Sequence, residues 1–239
     1  MEKHLSPEII ITCEHAGNFI PEGYRHLFVK ADEILNSHRG WDPGALSLAK
    51  FLSDDLNAPI FTFSITRLLI EVNRSLGHRR LFSEFSKFLS AKDKKYLIEN
   101  YYGPYRNEIE AAIRHLIQSG KKVIHIGVHT FTPVFRGKER ACDIGILFDP
   151  AAAHEKQFSR LWKQNLESKL PHLTICHNQP YRGVDDGLTT HLREVFNSEL
   201  YVGIELEVNQ KLLTEAKEFS HEFSFSIAQS LSEITKLPA

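Results

Sequence analysis

The stretch Ile9-Ile10-Ile11-Thr12-Cys13-Glu14-His15-Ala16-Gly17-Asn18 constrains this chain most, because a β-branched apolar run stops abruptly at an acid and a histidine. Such a run reads as a strand buried on both faces, the kind found in parallel sheets covered by helices. In open α/β sheets the ligand crevice lies beyond the carboxyl ends of the strands. Glu14 and His15 therefore stand where chemistry is expected, and the rest of the chain is read for partners to them.

Strands and helices alternate along the chain, which predicts an α/β fold with a mainly parallel or mixed central sheet and helices on both faces. Asp42-Pro43 opens a predicted helix whose apolar positions Ala45, Leu48, Ala49, Leu52 and Leu56 keep helical spacing. Strand-like runs follow at Ile60 to Phe63 and Leu68 to Val72, then a long polar segment, then a helix around Tyr105 to Gln118. Further strands are expected at Val123 to His129, Ile144 to Phe148, Leu173 to Cys176 and Tyr201 to Glu207. Helices are expected from Ala151 to Leu170 and from about Thr214 to about Ile234. No linker or repeat divides the 239 residues.

Composition narrows the partners. With 25% charged residues and a formal net charge of −1, nothing in the electrostatics calls for nucleic acid or an anionic membrane, and a small-molecule partner is expected. Cys13, Cys142 and Cys176 fall in no Cys-x-x-Cys pattern. The start Met1-Glu2-Lys3-His4 lacks the basic and apolar regions of a leader, and no apolar run nears the ~20 residues a bilayer needs, so a soluble, cytoplasmic protein is expected. A Gly-x-Ser-x-Gly elbow is absent, and no Gly-x-Gly-x-x-Gly follows the first strand.

Three expected strands end in groups that bind metals or move protons: His15, His129, and the pair Glu205 and Glu207. Parallel strands bring their carboxyl ends to one edge. Two histidines and a carboxylate with an open fourth position is how a catalytic zinc is held. The competing reading is plain: with 13 histidines, some will end strands while serving only as hydrogen-bonded or solvated side chains.

The order of the pieces carries a resemblance. Glu14-His15-Ala16-Gly17-Asn18, His38-Arg39-Gly40-Trp41-Asp42-Pro43-Gly44-Ala45, Thr66-Arg67-Leu68 with Asn73-Arg74, and His129-Thr130-Phe131-Thr132-Pro133 follow one another. Tyr101-Tyr102-Gly103-Pro104-Tyr105, Arg140 to Leu147, Asn178-Gln179-Pro180-Tyr181, His191 and Ile204-Glu205-Leu206-Glu207 complete the series. In this order the chain resembles the N-formylglutamate amidohydrolase family over nearly its whole length. The resemblance implies one amidohydrolase domain over residues 1–239 with a phosphorylase/hydrolase-like fold similar to zinc carboxypeptidases. It also implies a bound Zn2+ or another divalent ion, and hydrolysis of an N-acyl amino acid such as N-formyl-L-glutamate to formate and glutamate.

Carried over residue by residue, the resemblance puts His15, Asp42 and His129 at the metal, with Glu14 and then His38 as alternatives to Asp42. Asp42 before Pro43 also looks like a helix N-cap, and the two readings stand level. Asn73, Arg74 and Arg67 are read as a clamp for a substrate carboxylate, against an ordinary salt bridge with Glu71. The run His78-Arg79-Arg80 is read as a solvated face or a lid contact. Glu207 is the expected general base; Glu205, two residues earlier, shares its face, so alternation cannot choose between them. Tyr181, Arg182 and His191 are candidate substrate contacts, although a loop Tyr and a helix His are more often structural. The family pattern usually has Arg where Asn209 stands, Asp where Lys211 stands and Pro where Ser75 stands, which puts the substrate in question. Two other classes stay open: another metal-dependent hydrolase of acylated amino acids or peptide termini, and a non-catalytic small-molecule-binding protein.

Overall fold

In the computed structural model residues 7–236 are described. The start Met1-Glu2-Lys3-His4, read above for a leader, lies outside them. In chain order the elements are β1 (Glu8–Cys13), α1 (Asp32–Leu35), α2 (Ala45–Leu56), β2 (Ile60–Thr62), α3 (Ala91–Leu97) and α4 (Gly103–Gln118). There follow β3 (Val123–Phe131), the hairpin β4 (Val134–Phe135) and β5 (Lys138–Glu139), β6 (Ile144–Leu147) and α5 (Ala153–Lys169). Last come β7 (Ile175–His177), α6 (Leu188–Val195), β8 (Tyr201–Asn209) and α7 (His221–Thr235).

Six strands pair in the order β2-β1-β3-β8-β6-β7. All neighbours are parallel except β6 and β8, which run antiparallel with Gly145 opposite Glu207. The sheet is thus mixed and mostly parallel, as its strand sequences predict. Alternation assigns its faces. Ile11, Cys13, Ile126, Val128, Ile204, Leu206 and Val208 point to one side and pack with Leu48 and Leu52 of α2, Trp162 of α5 and Ile227 of α7. Ile10, Val123 and Tyr201 point to the other and meet Tyr105 and Ile109 of α4 and Leu192 of α6.

The second face is not wholly apolar. Thr12 Oγ1 lies 2.8 Å from His125 Nε2, and His125 Nδ1 lies 2.7 Å from the Tyr201 hydroxyl, so three neighbouring strands share a buried polar ladder. Both ring nitrogens of His125 are partnered, which is what a buried imidazole requires.

Four expectations need correction. Leu68 to Val72 forms no strand: its backbone turns on itself and onto the next loop, with Leu69 N–H donating to Thr66 O (2.9 Å) and Glu71 N–H to Leu81 O (2.9 Å). Its side chains Leu68, Leu69, Ile70 and Val72 are nonetheless core, so an apolar run marked burial and not strand. The helix predicted at Asp42 begins at Ala45, after Gly44 at φ 85°, and the last helix begins at His221 under a Ser220 cap instead of near Thr214. The polar stretch before Tyr105 contains α3, capped by Ser90.

Burial lowers the His125 pKa from 6.5 to about 4. Its unfolded counterpart takes a proton as pH falls through 6.5 while the folded ring does not, so stability present at neutral pH drains between pH 6.5 and 4, by up to ~3 kcal/mol. In urea unfolding over that interval the wild type is expected to lose stability more steeply than His125→Gln. Parallel pH profiles for the two proteins would count against this origin.

Candidate metal centre

Strand β1 has ended when the chain reaches Glu14 and His15. Cys13 O accepts from Phe63 N–H and Ala16 N–H donates to Phe63 O, both at 3.0 Å, which bends the chain off the sheet. Side-chain alternation no longer applies, and both residues turn to His129 of β3. Asp42 arrives from the loop before α2, its N–H donating to His15 O at 3.0 Å. Gly44, in the left-handed region, shifts the helix start beyond it, and no side chain caps α2. The cap reading of Asp42 therefore fails, and its carboxylate is free for other partners.

Those partners are the two histidines. His15 Nδ1, His129 Nδ1 and Asp42 Oδ2 form a triangle with every edge 3.2 Å, all three residues at most 3% exposed. Donor atoms around a tetrahedral ion with ~2.0–2.1 Å bonds stand ~3.3 Å apart, so the set fits a zinc-type ion. Two imidazole nitrogens with one carboxylate oxygen is also a donor set such ions take.

Each member is held from behind. Glu71 Oε1 lies 2.7 Å from His15 Nε2, Glu14 Oε2 lies 3.0 Å from His129 Nε2, and Arg67 Nη1 donates to Asp42 Oδ1 at 2.8 Å. A carboxylate on the far nitrogen fixes the ring and directs the near lone pair inward. Glu14, the alternative third ligand, thus sits on the outer nitrogen of His129 while Tyr105 OH donates to its other oxygen at 3.1 Å. His38, the other alternative, is exposed and outside the triangle. Burial works against the Asp42 and Glu71 carboxylates, yet Arg67 and His15 hold both far below the usual range. Burial likewise opposes charge on His129, but hydrogen bonds to Asp42 and Glu14 raise its pKa.

Glu207 stands opposite His129 in the β3–β8 register. Burial, with Asp42 and Glu205 adding and His129 opposing, raises its carboxyl to about 8, and its buried Oε2 has no hydrogen-bond partner. Glu205 differs: its Oε1 accepts from Thr189 Oγ1 at 2.7 Å. The two glutamates that alternation left equivalent are separated by their partners, one satisfied and one with an open oxygen.

The clamp residues divide. Arg67 has its fork filled by Asp42 and by Glu71 Oε2 (3.0 Å), and its Nη2 rests against the His15 ring, so the salt-bridge reading describes it. Asn73 Oδ1 accepts from Leu188 N–H at the start of α6 (2.7 Å). Arg74 donates to the Asp186 carbonyl and is half-buried. Tyr181 is 43% exposed on the loop after β7, its hydroxyl accepting from Arg140 at 3.3 Å, while Arg182 pairs with Asp185 and faces solvent. His191 turns to Glu110 of α4 at 3.6 Å and stands outside the cluster.

Sequence reasoning gave Glu71 only as a salt-bridge partner and assigned no role to Tyr102, Tyr105 or Arg106. Tyr102 OH donates to Arg74 O (2.8 Å), and Arg106 donates to Val72 O (3.0 Å) and Arg74 O (3.2 Å), so the start of α4 braces the Glu71–Arg74 segment. The signal was an acid, Glu71, inside the apolar stretch Leu68 to Val72, with Asn73-Arg74 directly after it, which a buried chain tolerates only with partners.

Comparison with known proteins agrees with this architecture. A profile of N-formylglutamate amidohydrolase matches residues 7–214. The crystal structure of the Atu2144 gene product from Agrobacterium tumefaciens superposes with a TM-score of 0.77 at 26% identity, covering 95% of this chain and 92% of that one. The N-formylglutamate amidohydrolase of Ralstonia eutropha JMP134 shares the fold with a TM-score of 0.70 at 16% identity, covering 98% of this chain and 93% of that one. No curated protein sequence matches the chain. Because the profile spans most of its length, the chain belongs to the N-formylglutamate amidohydrolase family.

Proposed function

We propose that this amidohydrolase uses a divalent ion, zinc by its donor set, to cleave the N-acyl amide of an acidic amino acid, with N-formyl-L-glutamate giving formate and glutamate. The observation that carries the reading is the 3.2 Å triangle of His15 Nδ1, His129 Nδ1 and Asp42 Oδ2 next to a buried Glu207 oxygen without a partner. When bound, the ion supplies Lewis acidity, polarising the amide carbonyl and making water acidic enough to attack near neutral pH.

The chain's own residues do the rest. Glu14 and Glu71 keep the His129 and His15 rings in one tautomer and one orientation. Glu207 accepts the proton of the attacking water through its open oxygen and delivers it to the leaving nitrogen. Arg74, whose guanidinium has a backbone carbonyl and, among the described residues, no acid as partner, holds the substrate α-carboxylate. Helices α4 and α6 shield this edge on the side where the acids gather.

Two experiments test the assignment. Glu207→Gln keeps volume and removes the proton acceptor, so metal content is expected to survive while turnover of N-formyl-L-glutamate falls by roughly two to four orders of magnitude. His129→Ala is expected to lose metal and turnover together. Normal turnover in folded Glu207→Gln would reject the base, and loss of its metal would make Glu207 a ligand. Separately, Glu71→Gln is expected to weaken metal affinity by about 10- to 100-fold through the His15 ring, measured by competition with a chromophoric chelator. Unchanged affinity would detach Glu71 from the metal centre.

A further inference from the structure

Arg140 is the cation near this edge whose chemistry is still open. It follows β5 and precedes β6, its N–H donating to Pro133 O at 2.8 Å. Its guanidinium carbon lies 5.3 Å from the Phe131 ring, 4.8 Å from Phe135 and 5.2 Å from Tyr181. Its hydrogen bonds go only to neutral oxygens at 3.3 Å, the Thr132 carbonyl and the Tyr181 hydroxyl. Among the described residues no carboxylate pairs with it. Arg67, Arg182 and Arg193, by contrast, each hold an acid.

Its location ties it to the metal centre. Phe131 lies two residues beyond His129 on β3, and so on the same face. Partial burial and the charge of Glu207 raise the Tyr181 phenol, and the charge of Arg140, after burial and Arg67, lowers the His38 pKa. A half-buried guanidinium framed by three rings has little freedom left to lose, and the rings neutralise none of its charge. Such a group is prepared for a planar anion.

We infer that Arg140 binds the side-chain carboxylate of the substrate and so restricts the enzyme to N-acyl derivatives of dicarboxylic amino acids. This rests on the proposed amide hydrolysis, in which Arg74 takes the α-carboxylate. The two guanidiniums reach the edge from different segments, Arg74 from the stretch before α3 and Arg140 from the segment between β5 and β6. A substrate with two carboxylates engages both, whereas a neutral isostere leaves Arg140 desolvated and unpaired.

The test compares N-formyl-L-glutamate with N-formyl-L-glutamine, which has the same shape without the second charge. In the metal-loaded wild type the kcat/KM ratio is expected to favour the glutamate compound. Arg140→Met is expected to lower that ratio roughly 10- to 100-fold, mainly through KM, and Arg140→Lys to recover part of it. A ring-framed staple that only holds the hairpin would lower both substrates equally, and an unmoved ratio overturns the inference. Should the wild type hydrolyse neither compound, the amidohydrolase reading fails, and Arg140 is judged by calorimetry with glutarate and its monoamide. A preference for glutarate lost in Arg140→Met sustains carboxylate binding, and no preference, or one that survives the substitution, rejects it. Circular dichroism of each variant identifies any that does not fold, in which case Arg140→Gln replaces Arg140→Met in the same comparison.

Discussion

Three Lewis-basic atoms held 3.2 Å apart and away from water are what the rest of this fold must sustain. Brought that close, they must share a proton or a metal ion. Glu14 and Glu71 hold the outer nitrogens of the two rings, and Arg67 pairs with Glu71 and Asp42, so each ligand atom is fixed by a charged partner. What keeps the atoms in place lies outside the site. Parallel pairing of β1 with β3 sets Ile11 beside Ile126 and so fixes where the two chains leave for His15 and His129. The apolar clusters on both faces of the sheet supply the burial that offsets the crowding.

The parts of this arrangement that were legible in the sequence are those dictated by the immediate chain. Ile9 to His15 announced a strand that ends in chemistry, and Val123 to His129 announced another, because burial and period-two alternation are local properties. Asp42 was not decidable in that way. Whether its carboxylate caps a helix or leaves it depends on the backbone of Gly44 two residues later, and a sequence written Asp-Pro-Gly fits both. Leu68 to Val72 misled for a related reason: apolar content reports that a segment is buried, while its hydrogen-bond partners, Thr66 and Leu81, decide whether it is a strand.

The positions that depart from the family pattern have structural partners of their own. Asn209 is fully buried, its Nδ2 donating to Cys142 O at 2.9 Å and its Oδ1 accepting from Lys211 N–H at 3.1 Å. Lys211 Nζ lies 2.5 Å from Asp143 Oδ1. Both residues therefore tie the end of β8 to the residues just before β6.

The antiparallel placement of β6 explains why a cation is available near the edge. A parallel strand would start at the far edge of the sheet; β6 instead sets Ile144 opposite Val208 and Leu147 opposite Glu205, so its first residues lie at the carboxyl end of β8. Arg140 is delivered to the active edge by this reversal. Gly145 completes the arrangement, because the loop after β7 crosses the sheet at that point and a Cβ there would lie 2.0 Å from Gln179 O and 3.3 Å from Glu207 Cβ. With no side chain at this one position, the loop descends far enough for Tyr181 to reach Arg140, and Glu207 keeps the space beside its open oxygen. One strand direction and one missing Cβ thus connect the proposed base to the proposed recognition of the acidic side chain.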